Sequence, residues 1–170
     1  MRNFTENELI ARFFAPLSGE GAFDLKDDAA VLNIGVHEEL VVSTDTLVAG
    51  VHFFENAKPQ DIAAKALRSN LSDLAAKGAI PIGYMLALAM PKANAAWLQD
   101  FSTQLKKDQK RYRITLLGGD TTKSKLLTIT VSIFGRVPKG EMVRRAGAKP
   151  GDILAVTGTI GDAVLGLKIL

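Results

Sequence analysis

Apolar residues recur at helical spacing in two long stretches of the chain. After Pro59, the residues Ile62, Ala63, Ala66, Leu67, Leu71, Leu74 and Ala75 fall on one side of a helix that Gly78 would stop. Over 93–112, Trp97, Phe101 and Leu105 mark the buried side of a second helix. Shorter apolar runs predict strands at 29–32, 40–43, 82–90, 114–117 and 126–135, the last alternating Thr128, Thr130 and Ser132 with apolar neighbours. Thr5 followed by Glu8 reads as a capping box that opens a short helix through Phe14. Between Ser18 and Asp28 the periodicity lapses into glycine and acids, and a loop is expected.

That order, a helix, two strands, then helix–strand–helix–strand–strand, predicts an α+β fold: a mixed sheet with two helices packed on one face. Beyond Pro138 the stretch KGEMVRRAGAKPGD is basic and aperiodic, as a linker is. The run 153–157 is strand-like, and GDAVLGLKIL begins a helix. One strand and part of a helix cannot bury their own apolar faces. The expected division is therefore 1–138 as a domain and 139–170 as a linker with the truncated start of a second, the chain being an N-terminal fragment.

Composition narrows the function. At 170 residues and 47 % hydrophobic the chain can bury a core, and its longest apolar run, 80–90, is broken by Pro81, Gly83 and Tyr84 and is too short to cross a bilayer. The N-terminal MRNFTENEL lacks the apolar stretch of a signal peptide. The chain has no cysteine, which excludes thiolate catalysis, disulfides and sulfur-ligated zinc. With a formal charge of +3, and one basic stretch, KKDQKRYR, that reads as a solvated helix end, neither nucleic acid nor membrane is an expected partner. A cytoplasmic location is expected.

Five aspartates stand in four polar clusters flanked by apolar or glycine-rich sequence: Asp27 and Asp28 in LKDDAAVL, Asp45 in VVSTDTLV, Asp73 in NLSDLAAKG and Asp120 in LLGGDTTKS. Carboxylates set where core packing begins are costly without cations, so their recurrence points to divalent metal and, through metal, to phosphate. Adjacent Asp27 and Asp28 repel unless a cation neutralises them. Ser43 and Thr44 add hydroxyl oxygens beside Asp45. Asp73 interrupts the apolar spacing of a helix, and Gly118-Gly119 allows close backbone approach to a phosphate. Each cluster also has an ordinary reading as a solvated turn or strand end; it is the four together that suggest one site. His52 in GVHFF is a candidate ligand contact or a structural histidine, and Arg144 and Arg145 are candidate phosphate partners or surface cations.

Other motifs fail. His37-Glu38-Glu39 lacks the second histidine of a zinc-protease helix, Val41 standing in its place. There is no G-x-x-x-x-G-K-[ST] phosphate loop, and neither histidine adjoins a nucleophile elbow.

Taken in order, DDAAVL, STDTLVAGVHF, NLSDLAAKGA, GGDTT and RAGAKPGD resemble the N-terminal half of the thiamine-monophosphate kinase family, within the superfamily of aminoimidazole ribonucleotide synthetase and selenophosphate synthetase. The resemblance implies an ATP-binding N-terminal domain whose sheet pairs with that of a second subunit into a barrel, hence a homodimer. It implies transfer of phosphate from ATP to thiamine monophosphate, giving thiamine diphosphate. It implies that Asp28, Ser43, Thr44, Asp45, Asp73 and Asp120 hold several magnesium ions, that Gly119, Asp120 and Arg145 contact ATP, and that His52 faces the thiamine phosphate. No general base is implied, because the acceptor is already an anionic phosphate oxygen. Lys26 stands where the family carries glycine, and the family's C-terminal domain is not part of the chain. Two alternatives stay open: a superfamily member with another small acceptor, and a nucleotide-binding dimerisation module inactive on its own. The isolated 170 residues are expected to turn over little.

Overall fold

Proline at a helix start loses no hydrogen bond, and Pro59 accordingly opens α2 (Pro59–Ala76), which Gly78 at φ +67° brings to an end. The computed structural model describes residues 4–27 and 29–169, so the metal candidate Asp28 lies outside the described residues. α3 (Ala95–Tyr112) starts where the Asn94 side chain accepts the N–H groups of Ala96 and Trp97 at 3.0 and 3.1 Å. At the N-terminus the capping box is present: Glu8 N–H donates to Thr5 Oγ1, and Thr5 N–H donates to Glu8 Oε2. It opens α1 (Glu6–Leu9), which widens into a π turn over Ile10–Phe14.

Four strands form one sheet in the order β1 (Glu38–Val48), β4 (Thr128–Pro138), β2 (Ile80–Met90), β3 (Thr115–Lys123). β4 runs antiparallel to both β1 and β2, whereas β2 and β3 are parallel, as the intervening α3 permits. Val41 and Leu47 of β1, Ile129, Val131 and Ile133 of β4, and Tyr84 of β2 are buried in one core with the apolar sides of α2 and α3. This is the inner face of the sheet. On the outer face Leu40, Val42 and Met85 remain 41 %, 55 % and 44 % exposed.

Polar anchors lock the helical layer. Arg68 of α2 donates to both carboxylate oxygens of Asp108 of α3, at 3.1 and 2.8 Å. Gln109 Nε2 donates to the Leu17 carbonyl at 2.8 Å and to the Tyr84 hydroxyl at 3.1 Å, tying the N-terminal segment and β2 to α3.

Three expectations are corrected. Residues 29–32 form no strand; Val31 N–H instead donates to the Gly21 carbonyl at 2.9 Å, closing a loop. The edge of β3 is bridged instead by Ser18 at Leu116. Residues 153–157 also form no strand: Ile153 and Leu154 are over 90 % exposed and pair with no strand of the sheet. The third strand does not stop at Leu117 but runs through GGDTT to Lys123, held by its parallel ladder to β2. The helix expected after residue 160 is present as α4 (Asp162–Ile169), with none of its described residues buried.

Candidate metal and nucleotide site

Side chains alternate along a strand, so the burial of Val41 and Leu47 turns Ser43 and Asp45 toward the same inner face, where both are half-buried. α2 crosses that face and brings Asp73 to β1: Ser43 Oγ donates to Asp73 Oδ2 at 2.9 Å. The helix spacing that made Asp73 conspicuous thus has a cause, because its carboxylate meets a strand hydroxyl rather than the core. Thr44 faces the other way. Its hydroxyl bonds to the Val131 carbonyl at 3.1 Å and to Ser132 Oγ at 3.0 Å, away from the face that bears Ser43 and Asp45.

The second group of candidates lies at the opposite edge of the sheet. β3 pairs Leu116 with Tyr84 and then Gly118 with Met85, so Leu117 is an extra residue, a bulge. Beyond it Asp120 stands opposite Ala87 and shares the outward parity of Met85. Gly119 is required here by contact: a Cβ would sit 1.8 Å from the Leu86 carbonyl oxygen. Asp120, Gly118 and Gly119 line an open cavity of about 1170 Å³ together with Asp24, Lys26 and Asp27.

Two strands, β4 and β2, separate β1 from β3. At the usual strand spacing of about 4.8 Å, Asp45 and Asp120 are roughly 14 Å apart across the sheet. Among the described residues no three acidic or histidine side chains converge on one point. The described candidates therefore fall into two groups, Ser43–Asp45–Asp73 and Asp27–Gly119–Asp120, rather than a single cluster of acids.

His52 sits in the turn after β1, exposed, its Nδ1 accepting the Val48 N–H at 3.1 Å. Arg145 is exposed in the segment that follows β4. That segment is anchored two residues earlier, where Val143 N–H donates to the Lys77 carbonyl at 3.2 Å, just past the end of α2. Among the described residues no hydrogen bond or ion pair joins Arg145 to Gly119 or Asp120.

Sequence reasoning missed two features. Phe23, Asp24 and Leu25 take φ values of 51°, 56° and 57°, a left-handed turn on the cavity rim that L-residues adopt at a cost of about 1–2 kcal/mol each. No local letter signals it, since none of the three is glycine. Lys65 of α2 donates to the His52 carbonyl oxygen. Its four-residue spacing to Ser69 and then Asp73 was a visible signal.

Residues 26–137 match the family model described as AIR synthase related protein, N-terminal domain. The chain is 48 % identical over 168 residues to the thiamine-monophosphate kinase of Escherichia coli, covering 97 % of this chain and 51 % of that protein. It spans about half the length of the curated relatives it matches. Its fold superposes on the crystal structure of thiamine-monophosphate kinase from Stenotrophomonas maltophilia with a TM-score of 0.80 at 42 % identity, over 85 % of this chain and 46 % of that one. A structure of AaThiL complexed with AMPPCP and TMP superposes with a TM-score of 0.75 at 31 % identity, over 84 % of this chain and 46 % of that one. With more than half of its residues matched by that family model, the chain belongs to the AIR synthase related protein family and carries its N-terminal domain.

Proposed function

We propose that the chain is the metal- and nucleotide-binding part of an ATP-dependent kinase that phosphorylates thiamine monophosphate to thiamine diphosphate. The observation that carries this reading is the Ser43–Asp73 bond, which draws a strand hydroxyl and a helix carboxylate onto the face that also bears Asp45. The names of the similar proteins, and the AMPPCP and TMP bound in one of them, support the choice of donor and acceptor.

The donor set suits magnesium. It consists of carboxylate and hydroxyl oxygens without sulfur, and magnesium is commonly held by one or two carboxylates plus substrate phosphates rather than by a closed protein cage. Half-sites of two or three oxygens are what that habit requires. In the proposed assignment Asp28, Ser43, Thr44, Asp45, Asp73 and Asp120 serve the ions, Gly119, Asp120 and Arg145 serve ATP, and His52 serves the acceptor. Bound magnesium would neutralise charge on the phosphates, and the remaining work of the chain is positioning.

The proposal includes a homodimer. The outer face exposes Leu40, Val42 and Met85 on a sheet whose inner face packs against α2 and α3, and a second copy covering it would form a closed barrel. It also includes a cytoplasmic location and a division at residue 138, with 139–170 as linker and the start of a second domain. The 170 residues alone are then a binding unit with little turnover.

Incubation with ATP, magnesium and thiamine monophosphate, followed by chromatography of thiamine diphosphate, tests the reaction. A panel of other phosphate acceptors run beside it tests the substrate. Product from another acceptor and none from thiamine monophosphate would overturn the substrate assignment. Turnover by the 170 residues equal to that of the Escherichia coli relative would overturn the view that they only bind.

A further inference from the structure

The end of α2 is capped from outside the helix. Terminal carbonyls of a helix have no partner within it. In α2 those of Leu74 and Ala75 are met by the closing turn, Ala79 N–H donating to the first at 2.9 Å and Gly78 N–H to the second at 3.0 Å. The Lys77 carbonyl instead accepts from Val143, in the segment after β4, at 3.2 Å. The Val143 side chain lies over Gly78, where an added Cβ would stand 3.6 Å from its Cγ2. One polar and one apolar contact therefore hold Val143 to the helix end. Among the described residues, the later main-chain hydrogen bonds of the segment stay local, Asp152 to Lys149 and Leu165 to Gly161. Val143 is thus its last main-chain attachment to the sheet and helices, and Arg144 and Arg145 follow it, exposed.

That attachment decides where Arg145 can work. Asp73 lies one turn before Lys77 on α2, about 6 Å along the axis. Two residues of chain span at most about 7 Å. Arg145 is therefore tethered to the Asp73 end of α2, the end that meets Ser43 of β1. Asp120 belongs to the far edge of the sheet, with β4 and β2 between. A guanidinium offers phosphate oxygens a fork of N–H donors, while carboxylates reach the same oxygens only through a cation. A polyphosphate at this end of α2 can then be met by an ion on one side and by Arg145 on the other, provided that the segment is held.

We infer that Val143 is a positioning residue, a latch on the end of α2 that sets Arg145 within reach of the phosphates bridged at the Asp73 end. This rests on the proposed role of Arg145 as a contact to ATP. Val143 touches no ligand itself. Its N–H and side chain fix the start of a short tether, so that the guanidinium and the carboxylate of Asp73 are carried by one helix.

Calorimetric titration with a non-hydrolysable ATP analogue and magnesium, of the wild type, Arg145→Met, Val143→Pro and the double variant, tests the latch. Proline removes the N–H of residue 143 and keeps an apolar ring. Arg145→Met is expected to bind about tenfold more weakly, the worth of a hydrogen bond to a charged group. Val143→Pro is expected to bind about fivefold more weakly, and the double variant no more weakly than Arg145→Met, because both changes act through one contact. Val143→Gly, which keeps the N–H but loses the apolar contact and frees the backbone, gives a second route to the same non-additive loss. Val143→Ile keeps both contacts and is expected to bind as the wild type does. Unchanged affinity in Val143→Pro and Val143→Gly, with Arg145→Met weakened, would overturn the latch alone. So would losses that add in the double variant, which mark Val143 as a cap for α2 acting apart from Arg145. Arg145→Met binding as tightly as the wild type overturns the reading of Arg145 and the latch with it, as does a wild type that binds no analogue.

Discussion

Arg68 and Asp108 are joined by two hydrogen bonds of 3.1 and 2.8 Å between α2 and α3, with the Asp108 side chain only 2 % exposed. The pair raises the affinity of the guanidinium for its proton, chiefly through the hydrogen bonds to Asp108. It ties α2 to α3, while Asp73, five residues further along α2, meets Ser43 of β1.

Replacing Arg68 by Met strands a buried carboxylate. Breaking a fully buried pair costs about 3–5 kcal/mol, but the Arg68 side chain is 44 % exposed, so about 2 kcal/mol is expected after allowance for solvent screening. Urea unfolding measures it. The double variant Arg68→Met with Asp108→Leu should recover part of the loss, and a double variant less stable than the single one contradicts the account.

Tyr84 makes stability depend on alkaline pH. Burial, helped by the nearby Asp108 charge, raises its phenol well above the usual value, although the Gln109 hydrogen bond opposes this. Below about pH 10 the phenol is neutral in both folded and unfolded chains, and the stabilisation is fully present. As pH rises above about 10 the unfolded chain loses the proton first, so stability falls by up to about 1.4 kcal/mol per pH unit from this group. Tyr84→Phe should flatten that limb while losing about 1 kcal/mol at neutral pH with the Gln109 bond. Identical alkaline slopes in the two proteins would show that the phenol is not the source.

Gly119→Ala is expected to destabilise the fold by about 1–3 kcal/mol, since its Cβ would collide with the Leu86 carbonyl and part β3 from β2. Thermal unfolding reads the first effect. Titration with a non-hydrolysable ATP analogue reads the second, a loss of affinity for nucleotide. An unchanged melting temperature would mean that the strands do not pack as closely as described.

Ser43→Ala and Asp73→Asn touch a pair at the surface and should leave stability within about 0.5 kcal/mol of the wild type. Both should weaken magnesium-dependent binding of the ATP analogue and leave magnesium-independent binding alone. Equal losses with and without magnesium would remove these residues from the ion site.

Val42→Glu places a charge on the exposed outer face of β1. If a second copy covers that face, sedimentation should show the variant as a monomer and the wild type as a dimer. A wild type that sediments as a monomer at micromolar concentration would end the barrel proposal.

Local patterns that depend on one element were readable from the letters alone. The Thr5–Glu8 capping box, Pro59 and Gly78 at the two ends of α2, and the alternation of β4 each act through neighbours in sequence, and each is present. Asp73 stood out in the sequence as a carboxylate among leucines, and the structure adds its bond from Ser43 of β1. Residues 29–32 and 153–157 misled, since β-propensity predicts a willing strand but not the presence of a partner edge. The division of the aspartates between two edges was illegible for a different reason. It depends on strand order, and the order β1–β4–β2–β3 is a property of the whole sheet. Thr44 illustrates the smallest version of the same problem: adjacent to Ser43 and Asp45 in sequence, it lies on the far side of the strand.

Leu117 gives that problem its sharpest form. As the unpaired residue between the Tyr84–Leu116 and Met85–Gly118 partners, it reverses which side of the sheet every later residue of β3 occupies. Pairing it regularly with Met85 would preserve GGDTT letter for letter while setting Asp120 opposite buried Leu88, turned away from its cavity and toward the helices. A chain can thus keep the whole signature and turn its aspartate to the other side of the sheet, and the register of β3 on β2 carries as much information as the aspartate itself.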